Sequence, residues 1–130
     1  MTVVDASVIT AIILREDNYE KLLQHLKNSM TLDQAFKEAS NAIWKAVMRG
    51  HLSGEEAVKA FSLLKMMKGI LEIRNEDEYL DESFKIALET GLTIYDSLYL
   101  ALARSEKRPL LTLDENQREA AKKLDIPIFY

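Results

Sequence analysis

Apolar residues along the chain fall into short continuous runs separated by longer stretches in which they recur every three or four positions. That alternation is expected of buried strands and of helices with one inner face. The first run, Thr2-Val3-Val4, stops at Asp5, and Ser7–Leu14 reads as a short buried helix. Asp17 or Asn18 can cap a second helix reaching about Asn28, with Leu22, Leu23 and Leu26 inside. Ser29–Leu32 predicts a strand, Asp33 an N-cap, and Gln34–Arg49 a long helix closed by Gly50, with Phe36, Ala39, Ile43 and Val47 as its core stripe. Glu38, Asn41, Lys45 and Arg49 form a separate polar stripe on that helix. Ser53 with Glu56 is a capping-box pattern opening a helix that carries Val58, Phe61, Leu64 and Met67. Ile70–Ile73 then predicts a strand, and Asn75 caps a helix with Tyr79, Leu80, Phe84, Ala87 and Leu88 inside, stopping at Gly91. Thr93 with Asp96 opens Ile94–Glu106, packed through Leu98, Tyr99, Leu102 and Ala103. Leu110–Leu113 predicts a buried strand that ends, like the first, on an acid, Asp114. Asp114 can cap a last helix, Glu115–Leu124, and Ile126–Tyr130 predicts an edge strand in which Pro127 is tolerable.

Strands separated by helices, with no short hairpin between them, predict an α/β protein: a mostly parallel central sheet covered on both faces. At 130 residues and 48% hydrophobic content the chain is expected to be one domain, residues 1–130, with one sizeable core. Composition narrows the chemistry. A net charge of −4 lacks the basic balance of a typical duplex-DNA binder, although an acidic protein can serve nucleic acid where bound cations neutralise its carboxylates. The absence of cysteine excludes disulfides, thiolate metal sites and a cysteine nucleophile. His25 and His51 have no His or Cys partner at ligand spacing, so zinc is not expected. No Gly-x-Ser-x-Gly elbow and no glycine-rich phosphate loop occurs. The N-terminus has no basic leader, and Val8–Leu14 is too short to cross a bilayer, so a cytoplasmic protein without a membrane role is expected.

Acids carry the remaining signal. Ligands of open α/β sheets bind beyond the carboxyl ends of strands, where Asp5 and Asp114 fall, and Asp96 sits in the first turn of a helix. Glu38 joins them if its helix leans its polar stripe over the same crevice. Hard cations such as Mg²⁺ or Mn²⁺ take carboxylate and water oxygens, and such a site suits hydrolysis of a phosphodiester. Each acid also has a plain structural role open to it. Asp5 and Asp114 can cap the helices that follow, Asp96 can complete a capping box, and Glu38 can be a solvated helix residue. Lys45, Arg49, Lys107, Arg108 and Arg118 could contact phosphates or merely solvate a face. The Met66-Met67 pair and Tyr79, Tyr95 and Tyr99 read as core or subunit interface.

Four blocks of the chain taken in order carry a resemblance. They are Val3-Val4-Asp5-Ala6-Ser7, Phe36-Lys37-Glu38-Ala39 with Asn41-Ala42-Ile43-Trp44-Lys45, Gly91 to Ala103 around Tyr95-Asp96-Ser97, and Leu110-Leu111-Thr112-Leu113-Asp114. Together they resemble the successive motifs of PIN-domain proteins, especially the VapC-like toxins, over essentially the whole chain. The resemblance implies a three-layer α/β/α sandwich and a metal-dependent endoribonuclease using Mg²⁺ or Mn²⁺, often paired with an antitoxin and often a homodimer. By the same resemblance Asp5, Glu38, Asp96 and Asp114 match the family's acidic quartet, as catalytic and metal-holding residues. Ser7 and Thr112 match polar positions that orient acids or water. A further acid of some relatives falls near Glu115 or Asn116. Expected partners are RNA and a cognate antitoxin. Two rivals are carried alongside: a PIN-like binding or regulatory module with weak turnover, and a receiver-like phosphoacceptor domain. The receiver needs an acceptor aspartate after its middle strand, where Arg74 and Asn75 stand.

Overall fold

Val3 and Val4 have no exposed surface, and the β-branched run that contains them forms the strand to which the others attach, β1 (Thr2–Val4). In the computed structural model, which describes residues 1–129, β1 pairs on one side with β2 (Ser29–Leu32) and on the other with β4 (Leu110–Leu111). β3 (Glu72–Arg74) pairs with the outer side of β2, giving the order β3-β2-β1-β4 with every pairing parallel. Val3 lies opposite both Met30 and Leu110. Every residue of β1, β2 and β4 is buried, so side chains on both faces are covered.

Two groups of helices supply the cover. α1 (Ala6–Ile13) packs with α2 (Tyr19–Leu26), α3 (Gln34–Met48) and α4 (Gly54–Met67). α6 (Ile94–Glu106), buried over the seven residues from Ser97 to Ala103, lies on β1, β2 and β4 and packs with α5 (Leu80–Thr90) and α7 (Glu115–Lys123). The chain runs β1, β2, β3 in one direction and then returns to add β4 on the other side of β1. That reversal leaves a crevice beyond the carboxyl ends of β1 and β4. It also excludes the receiver-like order, because the third strand is an edge here and not a middle strand.

Several expected elements shift, each for a visible reason. The third strand moves from Ile70–Ile73 to Glu72–Arg74 because turn bonds from Ile70 and Leu71 back to Met67 hold the chain after α4. The fourth strand stops at Leu111, since the Leu113 N–H is taken by the Ser7 hydroxyl and not by a neighbouring strand. Ile126–Tyr130 reduces to one parallel bridge, Leu110 to Ile128, and Tyr130 lies outside the described residues. Asp33 does not cap α3: its backbone is already helical, and Oδ1 accepts from the Glu76 N–H at 3.0 Å, pinning a 3₁₀ turn (Glu76–Tyr79) before α5. Asn18 precedes α2 in the left-handed conformation without a side-chain cap bond. Helix faces also rotate. α5 buries Ser83 and Ile86 while Leu80, Phe84 and Leu88 are exposed, and α4 buries Ala60, Leu64 and Met67 while Val58 and Phe61 are exposed. Leu23 is exposed as well, leaving Leu22 and Leu26 as the inner face of α2.

Candidate active site

Asp5 leaves β1 in extended conformation and serves at once as the N-cap of α1, its Oδ1 accepting from the Val8 N–H at 3.3 Å. Two hydroxyls hold the same carboxylate. Ser7 donates to Oδ1 at 2.6 Å and Thr112, just past β4, donates to Oδ2 at 2.5 Å. Ser7 in turn accepts from the Leu113 N–H at 2.9 Å, so the β1–α1 corner is stitched to the end of β4. Capping uses only part of Asp5's acceptor capacity: with three donors on two oxygens, Oδ2 keeps a free lone pair.

Asp114 caps α7, accepting from the Gln117 N–H at 3.0 Å, while its own N–H goes to Thr112 Oγ1 at 3.0 Å. Asp96 occupies the third position of α6, and its N–H is received by the Thr93 hydroxyl at 3.2 Å. A comparison within the molecule separates capping from other work. At α4 the box is complete, with Glu56 reaching back to the Ser53 N–H at 2.9 Å. At α6 no bond runs from the Thr93 N–H to Asp96, and its carboxylate instead accepts from Gln117 Nε2 at 3.2 Å. The Asp96 side chain therefore does not close the capping box its position suggests.

Glu38 lies on α3 after β2 and is half-buried. Its single protein donor among the described residues is the hydroxyl of the buried Tyr99, at 2.9 Å. Burial pushes the Asp5 carboxyl up to about 6 against the pull of Ser7, Thr112 and Val8, and Asp114 adds to the rise. Burial also pushes Glu38 up to about 7, against Tyr99, with Asp5, Asp96 and Glu76 adding repulsion. Asp96 is raised too, by burial first, opposed by Gln117 and more weakly by the Thr93 hydroxyl, with Asp114 adding to the rise. Four acids from four separate parts of the chain thus share one electrostatic field at the reversal point of the sheet.

The donor set is of the kind hard divalent cations take: carboxylates only, with no histidine or sulfur among them. Glu38 Oε2, Asp96 Oδ2 and Asp114 Oδ2 have no protein donor among the described residues. Among those residues no three acid or histidine side chains converge closely enough to form a preformed cage. The fit is therefore to an ion that keeps several waters and takes one or two carboxylates directly, as Mg²⁺ does.

A family model described as PIN domain matches residues 2–123. The chain belongs to the PIN-domain family. Over 128 residues it is 35% identical to Ribonuclease VapC3 of Pyrobaculum aerophilum, covering 96% of this chain and 98% of that protein. It is 33% identical over 111 residues to Exonuclease VapC9 of the same organism, covering 85% and 78% of the two chains. The crystal structure of PAE2754 from Pyrobaculum aerophilum superposes with a TM-score of 0.74 at 29% identity, covering 92% of this chain and 84% of that one.

Not every residue singled out from the sequence is drawn into the crevice of this PIN domain. Lys45 and Arg49 are exposed on the far half of α3, and the charges weighing most on Glu38 are the acids. Glu115 and Asn116 are exposed in the first turn of α7. Conversely, Gln117 was not expected at the site and is almost fully buried there. Its signal was present, since Asp114-Glu115-Asn116-Gln117 has capping-box spacing. Tyr99, read as core or interface, is both core and the donor to Glu38.

Proposed function

We propose that this PIN domain is a metal-dependent endoribonuclease, using Mg²⁺ or Mn²⁺, and the toxin of a toxin–antitoxin pair. The observation that carries the reading is the gathering of Asp5, Glu38, Asp96 and Asp114 at the reversal point of the sheet, three of them with raised pKa values. A related protein named as a ribonuclease, alike over nearly its full length, supports RNA as the substrate class.

Asp5, Asp96, Asp114 and Glu38 would hold the cation, one or two of them directly and the others, Glu38 among them, directly or through water. When bound, a divalent cation supplies charge to offset that developing on the phosphodiester and lowers the pKa of a coordinated water. The protein's own groups do the rest. Ser7 and Thr112 fix the plane of the Asp5 carboxylate through hydrogen bonds to its two oxygens. Glu38, with one oxygen steadied by Tyr99 and the other free, is suited to take a proton from the attacking water at neutral pH. Lys45 and Arg49, farther along the polar stripe of α3, would contact phosphates outside the scissile position.

Protein partners fit the exposed apolar faces, Trp44, Val58 and Phe61 across α3 and α4 and Leu80, Phe84 and Leu88 on α5. An antitoxin and a second copy of the chain are the expected occupants.

The test is incubation with linear and circularised RNA, with and without Mn²⁺, with Asp96→Asn as control. New internal ends, cleavage of the circle and dependence on both Mn²⁺ and Asp96 are expected. Cutting of linear RNA alone would indicate an exonuclease, as the second relative is named. Equal cleavage by wild type and Asp96→Asn would refute the site.

A further inference from the structure

Gln117 is 1% exposed on α7, three residues after the N-cap Asp114. At that position a Glu or Gln side chain ordinarily reaches back to the N–H of the capping residue. Here that N–H is already taken, donated by Asp114 to Thr112 Oγ1. The Gln117 backbone still closes the cap on Asp114 Oδ1, but its side chain is released, and Nε2 donates to Asp96 Oδ1 at 3.2 Å. Its Oε1 is left buried with no partner among the described residues. An apolar side chain would fill the same space without an unsatisfied acceptor, so packing does not account for an amide here.

We propose that Gln117 is a positioning residue that orients Asp96 for a divalent cation, its side chain freed from the capping box and joining the start of α7 to the acid on α6. The inference rests on the nuclease reading above. Gln117 holds one oxygen of Asp96 and leaves the other open, and through its backbone it holds Asp114 as well, so the two acids are set relative to each other by one residue. Neutrality suits this role. A lysine or arginine in its place would pair with Asp96 and oppose entry of a cation, whereas an amide donor orients the carboxylate and leaves its charge in place.

Gln117→Met and Gln117→Leu in the full chain test this, with two readouts: Mn²⁺ affinity by titration calorimetry of metal-stripped protein, and melting temperature in chelator. Affinity should fall about tenfold or more, the usual effect of losing a residue that orients a ligand. Melting temperature should hold or rise, because the orphaned acceptor is gone. Damage to packing would lower both together, and that result overturns the inference. Ser83→Ala is the control, removing a buried hydroxyl on α5 that bonds the Leu80 carbonyl. It should lower the melting temperature and leave Mn²⁺ affinity unchanged. Gln117 variants that bind Mn²⁺ as wild type does overturn the inference alone; a wild type that binds no Mn²⁺ overturns the nuclease reading with it.

Discussion

Replacing Asp5 by Asn should stabilise the metal-free protein while removing its activity. In the folded chain, burial raises the Asp5 carboxyl from 3.8 to about 6. Between those two values the folded state binds more protons than the unfolded one, so stability falls as pH rises through the window and the loss is complete above pH 6. A shift of about two units corresponds to roughly 3 kcal/mol at pH 8. Asparagine carries no charge to desolvate, but its Nδ2 would face Thr112 Oγ1, which already accepts from the Asp114 N–H, so part of the gain is offset. A net gain of about 1–2 kcal/mol, or roughly 4–8 °C for a domain of this length, is expected at pH 8 in chelator. By pH 4 most of the charge gain is gone while the offset remains, so the variant should there be less stable than wild type by roughly 1 kcal/mol. With saturating Mn²⁺ the order should reverse, since at one hundred times Kd wild type would gain about 2.7 kcal/mol that the variant could not. Thermal melts at pH 4 and pH 8, with chelator and with Mn²⁺, give all four values. If Asp5→Asn is destabilised by the same amount at both pH values in chelator, Asp5 carries no desolvation penalty and the electrostatic account of the site fails.

Two further outcomes follow from particular contacts. Tyr99→Phe removes the one protein donor that Glu38 has among the described residues, which should push the Glu38 carboxyl higher still and cost about 1 kcal/mol of stability. The acid limb of the pH–rate profile at saturating Mn²⁺ should move to higher pH, and a profile superimposing on that of wild type would remove Glu38 from proton transfer. Lys45→Ala and Arg49→Ala, made in the Asp96→Asn background so that RNA is not consumed, should each flatten the salt dependence of binding by about 0.7 in log–log slope. An unchanged slope would return both cations to the role of solvating the outer face of α3.

The sequence read differently at different depths. Element types were legible because punctuation agreed with periodicity: Ser53 with Glu56, Asn75 and Gly91 bound elements close to where the residue types predict. Faces were less legible. On α5 the apolar residues are more numerous than the core can take, so Leu80, Phe84 and Leu88 form a good inner stripe on paper while Ser83 and Ile86 are turned inward by contact with α6. Strand ends were misjudged where a side chain took over a ladder bond, as Ser7 does at Leu113. The acids stood out in the sequence because the pattern places Asp5 and Asp114 at the ends of predicted strands. Gln117 was not, because its spacing reads as a local cap and only the third dimension shows that Thr112 has taken the bond it would have made.

Helix capping and metal holding compete as explanations of the same aspartates, and the geometry leaves room for both, since Asp5 and Asp114 cap helices with oxygen capacity to spare. Asp5 and Asp114 each lie at a helix start, and Asp96 lies one turn inside another. The backbone N–H groups of a helix N-terminus favour negative charge, so three of the four carboxylates face a positive end that offsets their mutual repulsion before any cation arrives. Glu38 has no such support. It lies beyond the first turn of α3 with one neutral donor, and although it is less buried than Asp5 its pKa is pushed higher, to about 7 against about 6. Much of that gap is the higher ordinary value of a glutamate, 4.5 against 3.8; the rest fits fewer donors, one against three, and repulsion from Asp5, Asp96 and Glu76. In the proposed site Asp5, with three donors favouring its charged form, would hold a cation, and Glu38, pushed up to about 7, would gain or lose the proton near neutral pH. Under the proposed function, holding charge would fall to the aspartates at helix starts and moving a proton to Glu38.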